Sequence, residues 1–258
     1  MIDVSYFFRW ILLAFSLMFS SCLMPPPSGA PPPVLAARSS SILIYNGDGT
    51  ALSDTQSIEK IIQVNGQSSK TVNSNQINVM TEEELRHYGL IIWPGGKSKT
   101  MSDSLTFETR NRIRDAVSLD GVSFLGFCAG AFIAGTYSWS PTWGLELVPN
   151  DFPYYQLEFQ GYTKAFVELQ FSDRSSRHVL WYGGPQLDDF GKVIARYPDG
   201  SSAIAQDWVG VGFVILSGVH PEAPLSWGTG LSYPDGSDHA LAWQLIEAAM
   251  KQQPLKTF

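Results

Sequence analysis

Cysteine is scarce in this sequence: the 258 residues include only two, Cys22 and Cys128. Two isolated cysteines provide neither a disulfide framework nor a paired-cysteine zinc pattern. The histidines His87, His178 and His239 are not spaced like metal ligands. We therefore predict that the chain uses no metal and no other cofactor.

Positive charge is also in short supply. The formal net charge is −7, the isoelectric point is about 5.0, and charged residues make up 16% of the chain. No cluster of lysine and arginine offsets this balance. Because binding to nucleic-acid phosphates needs a basic surface, we expect no nucleic-acid partner. The length suits one good-sized domain with a full hydrophobic core.

The amino terminus lacks an apolar run long enough to cross a bilayer, which takes roughly 20 residues. Arg9 precedes a short apolar stretch, residues 10–19, that ends in two serines and Cys22. A basic residue, a short apolar run and small residues are typical of a secretory signal. The ending also resembles the lipobox of bacterial lipoproteins, so we predict a signal peptide over residues 1–22 with lipidation of Cys22. The alternatives are an ordinary signal peptide cut near Ala30 and an uncleaved anchor.

Residues 23–41 read as a Pro-rich linker. They contain two Pro-Pro-Pro triplets together with Gly, Ala and Ser, and such a segment is extended and semi-rigid. With no internal repeat and no second linker, residues 42–258 are predicted to form one domain. The expected location is the bacterial cell envelope, where the lipid would anchor the protein to a membrane.

Strands and helices alternate in the first half of this region. Buried strands are predicted at Ser41–Asn46, Gly89–Trp93 and Val122–Phe127, and this alternation predicts an α/β fold with a mainly parallel sheet covered on both faces. We also predict a short strand over Ile77–Met80 and one helix over Asp103–Leu119. The second half is predicted to contain further strands and a closing helix, at Thr163–Phe171, Val179–Tyr182, Lys192–Tyr197, Val209–Val219 and Asp238–Met250.

A candidate nucleophile follows the third buried strand, in Gly126-Phe127-Cys128-Ala129-Gly130. A cysteine between a strand and a helix, flanked by small residues, has the context of a nucleophile elbow. The helix start favours the thiolate, and the Ala129 N–H points toward a developing oxyanion. On this motif alone, a purely structural buried cysteine is an equally good interpretation.

A candidate base follows another strand, in His220-Pro221-Glu222. Residues two apart in an extended segment project to the same side, so Glu222 can orient the His220 imidazole while it serves Cys128. A solvated turn is the alternative interpretation. Both motifs fall at carboxyl ends of predicted strands, where open α/β sheets place their sites.

The loop after the second buried strand, Pro94-Gly95-Gly96, offers a second oxyanion donor. Its flexible backbone allows the Gly96 N–H to act beside that of Ala129. An ordinary loop that needs positive φ is the alternative.

These three motifs, in this order, resemble the class I glutamine amidotransferase-like superfamily. Within it, the sequence is most similar to the domain at the amino terminus of some biotin-protein ligases, through Cys128–Phe132, Tyr182–Gly184 and Leu216–Glu222. The resemblance covers about residues 42–250. It implies a flavodoxin-like three-layer sandwich with a catalytic Cys128, His220 and Glu222.

Two departures limit the function that the resemblance implies. True glutamine amidotransferases carry glutamine four residues after the cysteine, where this chain has Phe132, so we expect little glutamine hydrolysis. The Gly- and Arg-rich biotin loop of a ligase is not found, so we expect no biotin transfer. We predict a thiol hydrolase acting on an amide or ester of an unidentified small molecule or peptide. The alternative is a binding or scaffold module without turnover.

The aromatic-rich segment from Trp139 to Tyr162 has no clear period. Its side chains either wall a substrate cleft or cover the sheet, and we favour the second interpretation because aromatic residues usually dominate cores. The residues concerned are Trp139, Trp143, Phe152, Tyr154 and Tyr155.

Lipidation of Cys22 is directly testable. Wild-type protein should fractionate with membranes and partition into the detergent phase, because an acyl anchor adds buried CH₂ groups. Cys22→Ala should release the protein or stall its processing, whereas Cys128→Ala should leave fractionation unchanged. Full solubility of the wild type after lysis would contradict the prediction.

Overall fold

The computed structural model of the chain describes residues 41–139, 142–149, 151–156, 160–231 and 235–258. The predicted signal peptide, Cys22 and the linker up to residue 40 lie outside the described residues. Among the helices that are described, none is both long and apolar enough to span a bilayer.

One nine-stranded sheet organises the fold, in the order β2-β1-β3-β4-β11-β10-β9-β7-β8. The first five strands in this order are parallel to one another: β2 (Ser69–Val72), β1 (Ile42–Tyr45), β3 (Leu90–Trp93), β4 (Ser123–Phe127) and β11 (Gly212–Ser217). The other four continue the sheet in antiparallel pairs: β10 (Ser202–Val209), β9 (Lys192–Arg196), β7 (Ala165–Phe171) and β8 (Ser176–Trp181). A separate two-stranded ribbon joins β5 (Tyr137–Trp139) and β6 (Thr142–Trp143).

Helices cover both faces of the sheet. On one face lie α1 (Leu52–Val64) and α7 (His239–Lys251). The opposite face carries α2 (Ser74–Val79), α3 (Glu82–Arg86), α4 (Ser98–Asp103), α5 (Phe107–Ser118) and α6 (Ala129–Ala134).

The apolar runs of the parallel strands are continuous because both faces are buried. Along β1, Ile42 and Ile44 point into one core, whereas Leu43 and Tyr45 point into the other. The predicted α/β three-layer sandwich with a mainly parallel sheet is therefore confirmed.

Three predicted elements were wrong in detail. Ile77–Met80 is not a strand, because Asn73 and Gln76 form a capping box that starts α2 there. The helix predicted over Asp103–Leu119 begins only at Phe107, because Asp103 is the last residue of α4 and the Thr106 side chain caps α5 by accepting the Thr109 N–H.

The third error concerns the strand predicted over Val209–Val219. It is the end of β10, a turn and β11, paired as an antiparallel hairpin. Gly210 makes the turn possible, because its φ of +59° is one that favours glycine.

The topology brings the candidate motifs together. Strands β3, β4 and β11 are neighbours in the sheet, with Trp93 opposite Gly126 and Ser217 opposite Phe127. All three strands are parallel, so the segments that follow them emerge at one edge. That edge is where the candidate active site lies.

Candidate active site

Cys128 occupies a sharp turn between β4 and α6. Its φ of 46° and ψ of −100° are unusual for a residue with a side chain. Such a conformation costs roughly 1–3 kcal/mol and persists only where the surroundings impose it. Here the Cys128 N–H is held by the Ser217 carbonyl of β11 at 2.8 Å. The geometry is that of a nucleophile elbow.

The flanking glycines let the elbow pack. A Cβ on Gly130 would lie 2.0 Å from the Trp93 carbonyl oxygen of β3, and one on Gly126 would lie 2.4 Å from the Gly130 oxygen. Both contacts are with backbone, which cannot move aside. Glycine is thus required at both positions by close backbone approach.

His220 and Glu222 form a buried pair beside the elbow. The imidazole Nδ1 lies 2.7 Å from Glu222 Oε1, and the two side chains are 2% and 0% exposed. The His220 N–H donates to the Leu180 carbonyl of β8 at 2.7 Å, which fixes the backbone of this loop. The Glu222 contact assigns the Nδ1–H tautomer, leaving Nε2 for a second partner.

Cys128 and the Tyr182 carbonyl both act on the imidazole. Burial lowers the pKa of His220, but electrostatic attraction to Cys128 and hydrogen bonding with it act in the opposite direction. Asp54 and the Tyr182 carbonyl add to this effect, and the net pKa of His220 is raised above its ordinary value. Glu222 thus contacts His220 directly, and Cys128 is near enough to raise the pKa of that imidazole.

The Tyr182 carbonyl is an acceptor that the sequence did not reveal. Cys128 Sγ donates to this oxygen at 3.6 Å. The loop that carries it is packed against β11, since a Cβ on Gly184 would lie 1.9 Å from the Gly218 carbonyl oxygen. Nothing in the side chain of residue 182 signals this role, because the contact is made by backbone.

Gly96, Ala129 and Cys128 line the same cleft. Gly96 has a φ of +148°. The residues before and after it are hydrogen-bonded to the loop that follows β1: the Gly95 carbonyl accepts the Ala51 N–H, and the Lys97 N–H donates to the Gly49 carbonyl. The N–H groups of Gly96 and Ala129 make no hydrogen bond with any other described residue. They remain available to a ligand, as an oxyanion hole requires.

The cleft has a volume of about 210 Å³. Phe132 and Tyr154 form one apolar wall, with ring centroids 4.9 Å apart, and Lys97 and Lys99 line another. Cys128 is at the bottom and only 4% exposed. This space suits a small ligand or a single side chain.

The aromatic side chains between the elbow and β7 cover the sheet, as we expected, only in part. Phe152 and Tyr155 are buried in the two cores, whereas Tyr154 lines the cleft. Trp143 is 48% exposed and contacts Tyr137 in a tilted ring pair with centroids 4.8 Å apart.

Asp54 is the site residue that sequence reasoning missed. It lies in the first turn of α1, is fully buried, and accepts the Gly95 N–H at 2.6 Å through Oδ2. Burial and the neighbouring Glu222 raise the pKa of Asp54 well above its ordinary value. Acidic residues are common in the first turns of helices, so the position of Asp54 in such a turn did not mark it as a site residue. The one signal was that α1 starts beside the sheet edge that holds Gly95 and His220.

Gly95 owes its identity to the same cluster. A Cβ there would lie 2.5 Å from Cε1 of His220 and 3.1 Å from Asp54 Oδ2. The imidazole is therefore packed directly on the backbone of this loop.

Asp54, His220 and Glu222 could in principle ligate a metal ion, because each offers one ligand atom within 4.8 Å of the others. They are the one such group among the described residues. His220 Nδ1 is already engaged with Glu222, and Asp54 Oδ2 accepts an N–H. A cation would have to displace these hydrogen bonds in a fully buried space. We interpret the cluster as a hydrogen-bonded network.

Comparison with known families agrees with this geometry. Residues 40–139 match the family model described as biotin-protein ligase, N terminal. The match includes the Gly95–Gly96 loop and the elbow. The predicted resemblance to the class I glutamine amidotransferase-like superfamily is confirmed. No curated protein matches the chain in sequence.

Solved structures share the glutamine amidotransferase-like fold. A crystal structure of a glutamine amidotransferase is 19% identical, with 81% of this chain and 98% of that chain covered and a TM-score of 0.58. A cytoplasmic protein from Salmonella typhimurium is 11% identical over 81% of this chain and 98% of its own, with a TM-score of 0.51. An exo-β-1,4-mannosidase from Opitutaceae bacterium strain TAV5 is 13% identical over 82% and 36%, also at 0.51. At these identities the likeness concerns the fold alone.

The buried acid pair predicts a pH dependence of stability. Burial raises the pKa of both Asp54 and Glu222, that of Glu222 from 4.5 to about 8, so the folded pair retains one proton that the unfolded chain releases. Between about pH 4.5 and 8 the free energy of unfolding should therefore fall as pH rises, with a slope of up to about 1.4 kcal/mol per pH unit for that proton.

Urea unfolding followed by tryptophan fluorescence at pH 5, 6.5 and 8 checks this. Glu222→Gln should flatten the slope, whereas the matched surface change Glu247→Gln, in an exposed pair with Lys251, should leave it unchanged. Equal slopes in wild type and Glu222→Gln would contradict the raised pKa.

Proposed function

We propose that the chain is a thiol hydrolase that cleaves an amide or ester of a small molecule. The observation that carries this proposal is the buried line from Cys128 to His220 to Glu222, built on a strained elbow. A cysteine that only filled a core would need no imidazole beside it and no carboxylate behind that imidazole.

In the first step Nε2 of His220 takes the proton of the Cys128 thiol, and Sγ attacks the carbonyl carbon, forming a C–S bond as the carbonyl π electrons move to oxygen. The imidazolium then gives its proton to the departing nitrogen or oxygen as the bond between that atom and the carbonyl carbon breaks. A thioester remains on Cys128. Water attacks the thioester as His220 takes a water proton. The C–S bond then breaks, the acid product leaves, and His220 returns the proton to Sγ.

Glu222 acts on His220 rather than on substrate. Its Oε1 accepts the Nδ1–H, holds the ring orientation and stabilises the imidazolium. The unoccupied N–H groups of Gly96 and Ala129 take the role of oxyanion donors in the tetrahedral intermediate. Removing one such donor in other enzymes slows the chemical step by about 10²–10³.

The cleft favours a substrate with an anionic group near the scissile bond. Lys97 forms no ion pair with any described residue, whereas Lys99 is paired with Asp103 at 2.6 Å. Among the residues that the structure describes, none with an acidic side chain lines the cleft. A free ammonium on the wall of a chain with net charge −7 is a local attraction for a carboxylate.

Free glutamine is a poor fit to this cleft. Phe132 and Tyr154 present an apolar wall at the position where amidotransferases seat the substrate with glutamine. An apolar wall leaves a polar amide without partners.

We also propose that the activity is displayed at the bacterial cell envelope. Support comes from the apolar run before Cys22 and the Pro-rich spacer that follows it.

The test of turnover is a screen of small amide and ester substrates with the full chain. Cys128→Ala should lower kcat/KM by about 10³-fold or more, and His220→Ala by about 10²–10⁴-fold, because the nucleophile and its proton carrier are lost. Cys22→Ala is the matched control and should retain full activity. Ammonia release from free glutamine should stay near background.

Two outcomes would overturn parts of this proposal. Robust glutaminase activity that vanishes in Cys128→Ala would make the chain an amidotransferase-type glutaminase. Absence of turnover, together with Cys128 alkylation that ignores His220→Ala, would favour the binding or scaffold module.

The charge preference has a test that needs no substrate. Cys128 should be alkylated faster by anionic iodoacetate, relative to neutral iodoacetamide, in wild type than in Lys97→Met. We expect the ratio of the two rate constants to fall about threefold to fivefold at low salt, because a unit charge at the cleft wall interacts weakly through water. Mass spectrometry of the peptide that contains Cys128 measures both rates in the full chain.

Lys192→Met, on β9 in the antiparallel half of the sheet, is the matched control. An unchanged ratio in Lys97→Met would refute the anionic preference while leaving the hydrolase proposal intact.

A further inference from the structure

Two carboxyl groups lie close together in the buried space beside the imidazole, with an oxygen of each within 4.8 Å of the other. Asp54 and Glu222 are both fully buried, and each uses one oxygen: Asp54 Oδ2 accepts the Gly95 N–H, and Glu222 Oε1 contacts His220. The other two, Asp54 Oδ1 and Glu222 Oε2, have no donor among the described residues. Buried carboxylate oxygens left in this way are costly, so a donor is to be expected.

We propose that one proton is shared between Asp54 Oδ1 and Glu222 Oε2, and that Asp54 is thereby a positioning residue for the triad. Asp54 is the protonated member and donates to Glu222, which stays the carboxylate that faces His220. The proposal extends the triad by one residue; its consequence for reactivity rests on the proposed function, whereas the shared proton itself does not.

The direction of the shared hydrogen bond follows from the surroundings. Burial raises the pKa of both acids, but their mutual hydrogen bond raises the pKa of Asp54 and lowers that of Glu222. Two ionised carboxylates whose oxygens lie within 4.8 Å of each other in a buried space repel each other, so one must hold a proton. Glu222 is the better anion because it already faces the His220 ring.

Other charged groups around the pair do not replace this proton. Asp238 acts on Glu222 through its negative charge, but is itself paired with Arg177. His239 Nε2 contacts the Ala223 carbonyl and Ser57 Oγ rather than either carboxyl. On the other side of the imidazole, Cys128 interacts with His220.

Asp54 also links the acid end of the triad to the oxyanion loop. Through Oδ2 it holds the Gly95 N–H, one residue before Gly96, while the same helix α1 holds the Glu222 carbonyl through Ser57 Oγ at 2.6 Å. Trp227 closes the site from outside, with its ring 5.2 Å from His220 and its Nε1 donating to Ser53 Oγ of α1 at 2.9 Å. One helix therefore positions the loop, the acid and the cover.

Infrared spectroscopy of the full chain tests the proton directly. A buried protonated carboxyl gives a C=O band separate from those of ionised carboxylates. Wild type at pH 7 should contain such a band, and Asp54→Asn should lack it. Asp238→Asn is the matched control, because it removes another buried aspartate, and it should keep the band.

Alkylation of Cys128 by iodoacetamide at pH 6.5 tests the positioning role. Asp54→Asn keeps a donor toward Glu222 if its amide nitrogen faces Oε2, and its amide oxygen can accept the Gly95 N–H, so its rate should stay within about twofold of wild type. Asp54→Ala removes the donor, so Glu222 takes up a proton and His220 loses its counter-charge. The rate should then fall about tenfold, which corresponds to a loss of about 1.4 kcal/mol in the stabilisation of the imidazolium.

The outcomes separate this inference from the hydrolase proposal. Loss of the infrared band in Asp238→Asn rather than Asp54→Asn would overturn the shared proton even if the chain is an active hydrolase. Equal alkylation of wild type and Asp54→Ala would remove the positioning role. If Asp54→Ala fails to fold, Asp54→Asn still tests the positioning role. Alkylation of Cys128 in Asp54→Asn that is as slow as in His220→Ala would show that the amide cannot replace the acid, and would contradict the predicted rate.

Discussion

The hydrogen bond from the Cys128 N–H to the Ser217 carbonyl is the contact on which the site depends. It continues the pairing of β4 and β11 one residue past their last parallel pair, and so places the cysteine beside the segment that carries His220. Cys128 makes this additional hydrogen bond in a strained conformation with a positive φ. Close backbone contacts at Gly130 and Trp93 keep the turn from relaxing, because a larger residue would push β3 and the elbow apart.

The sequence carried enough information for the parallel half of the fold. Apolar runs bounded by glycine loops predict buried parallel strands, and three such runs in β1, β3 and β4 were located to within one or two residues. The antiparallel half was harder. Strand β10 and the turn before β11 were missed, because Trp208 to Phe213 reads as a largely apolar stretch whose two glycines do not by themselves indicate a reversal of the chain.

For the site, short motifs predict which strand ends carry chemistry, but not what packs behind them. His220 and Glu222 are two residues apart, so their contact follows from local geometry. Asp54 is 168 residues from Glu222 in sequence (222 − 54), and no local pattern announces it. Its burial emerges only when α1 is laid against the loops after β3 and β11. Backbone partners such as the Tyr182 carbonyl are equally silent in a sequence, since any residue offers the same oxygen.

The placement of the Tyr182 carbonyl has a consequence for how such a site can diversify. The elbow, the imidazole and the oxyanion donors all follow parallel strands, whereas the resting acceptor of the thiol follows β8, at the far edge of the antiparallel extension. An insertion or exchange of that extension would alter the thiol's partner, one side of the cleft and the Leu180 carbonyl that holds the His220 backbone, while the parallel strands that shape the elbow would keep their own pairing. The two halves of the sheet thus contribute different parts of the site: the parallel strands shape the elbow, and the antiparallel extension supplies the acceptor of the thiol.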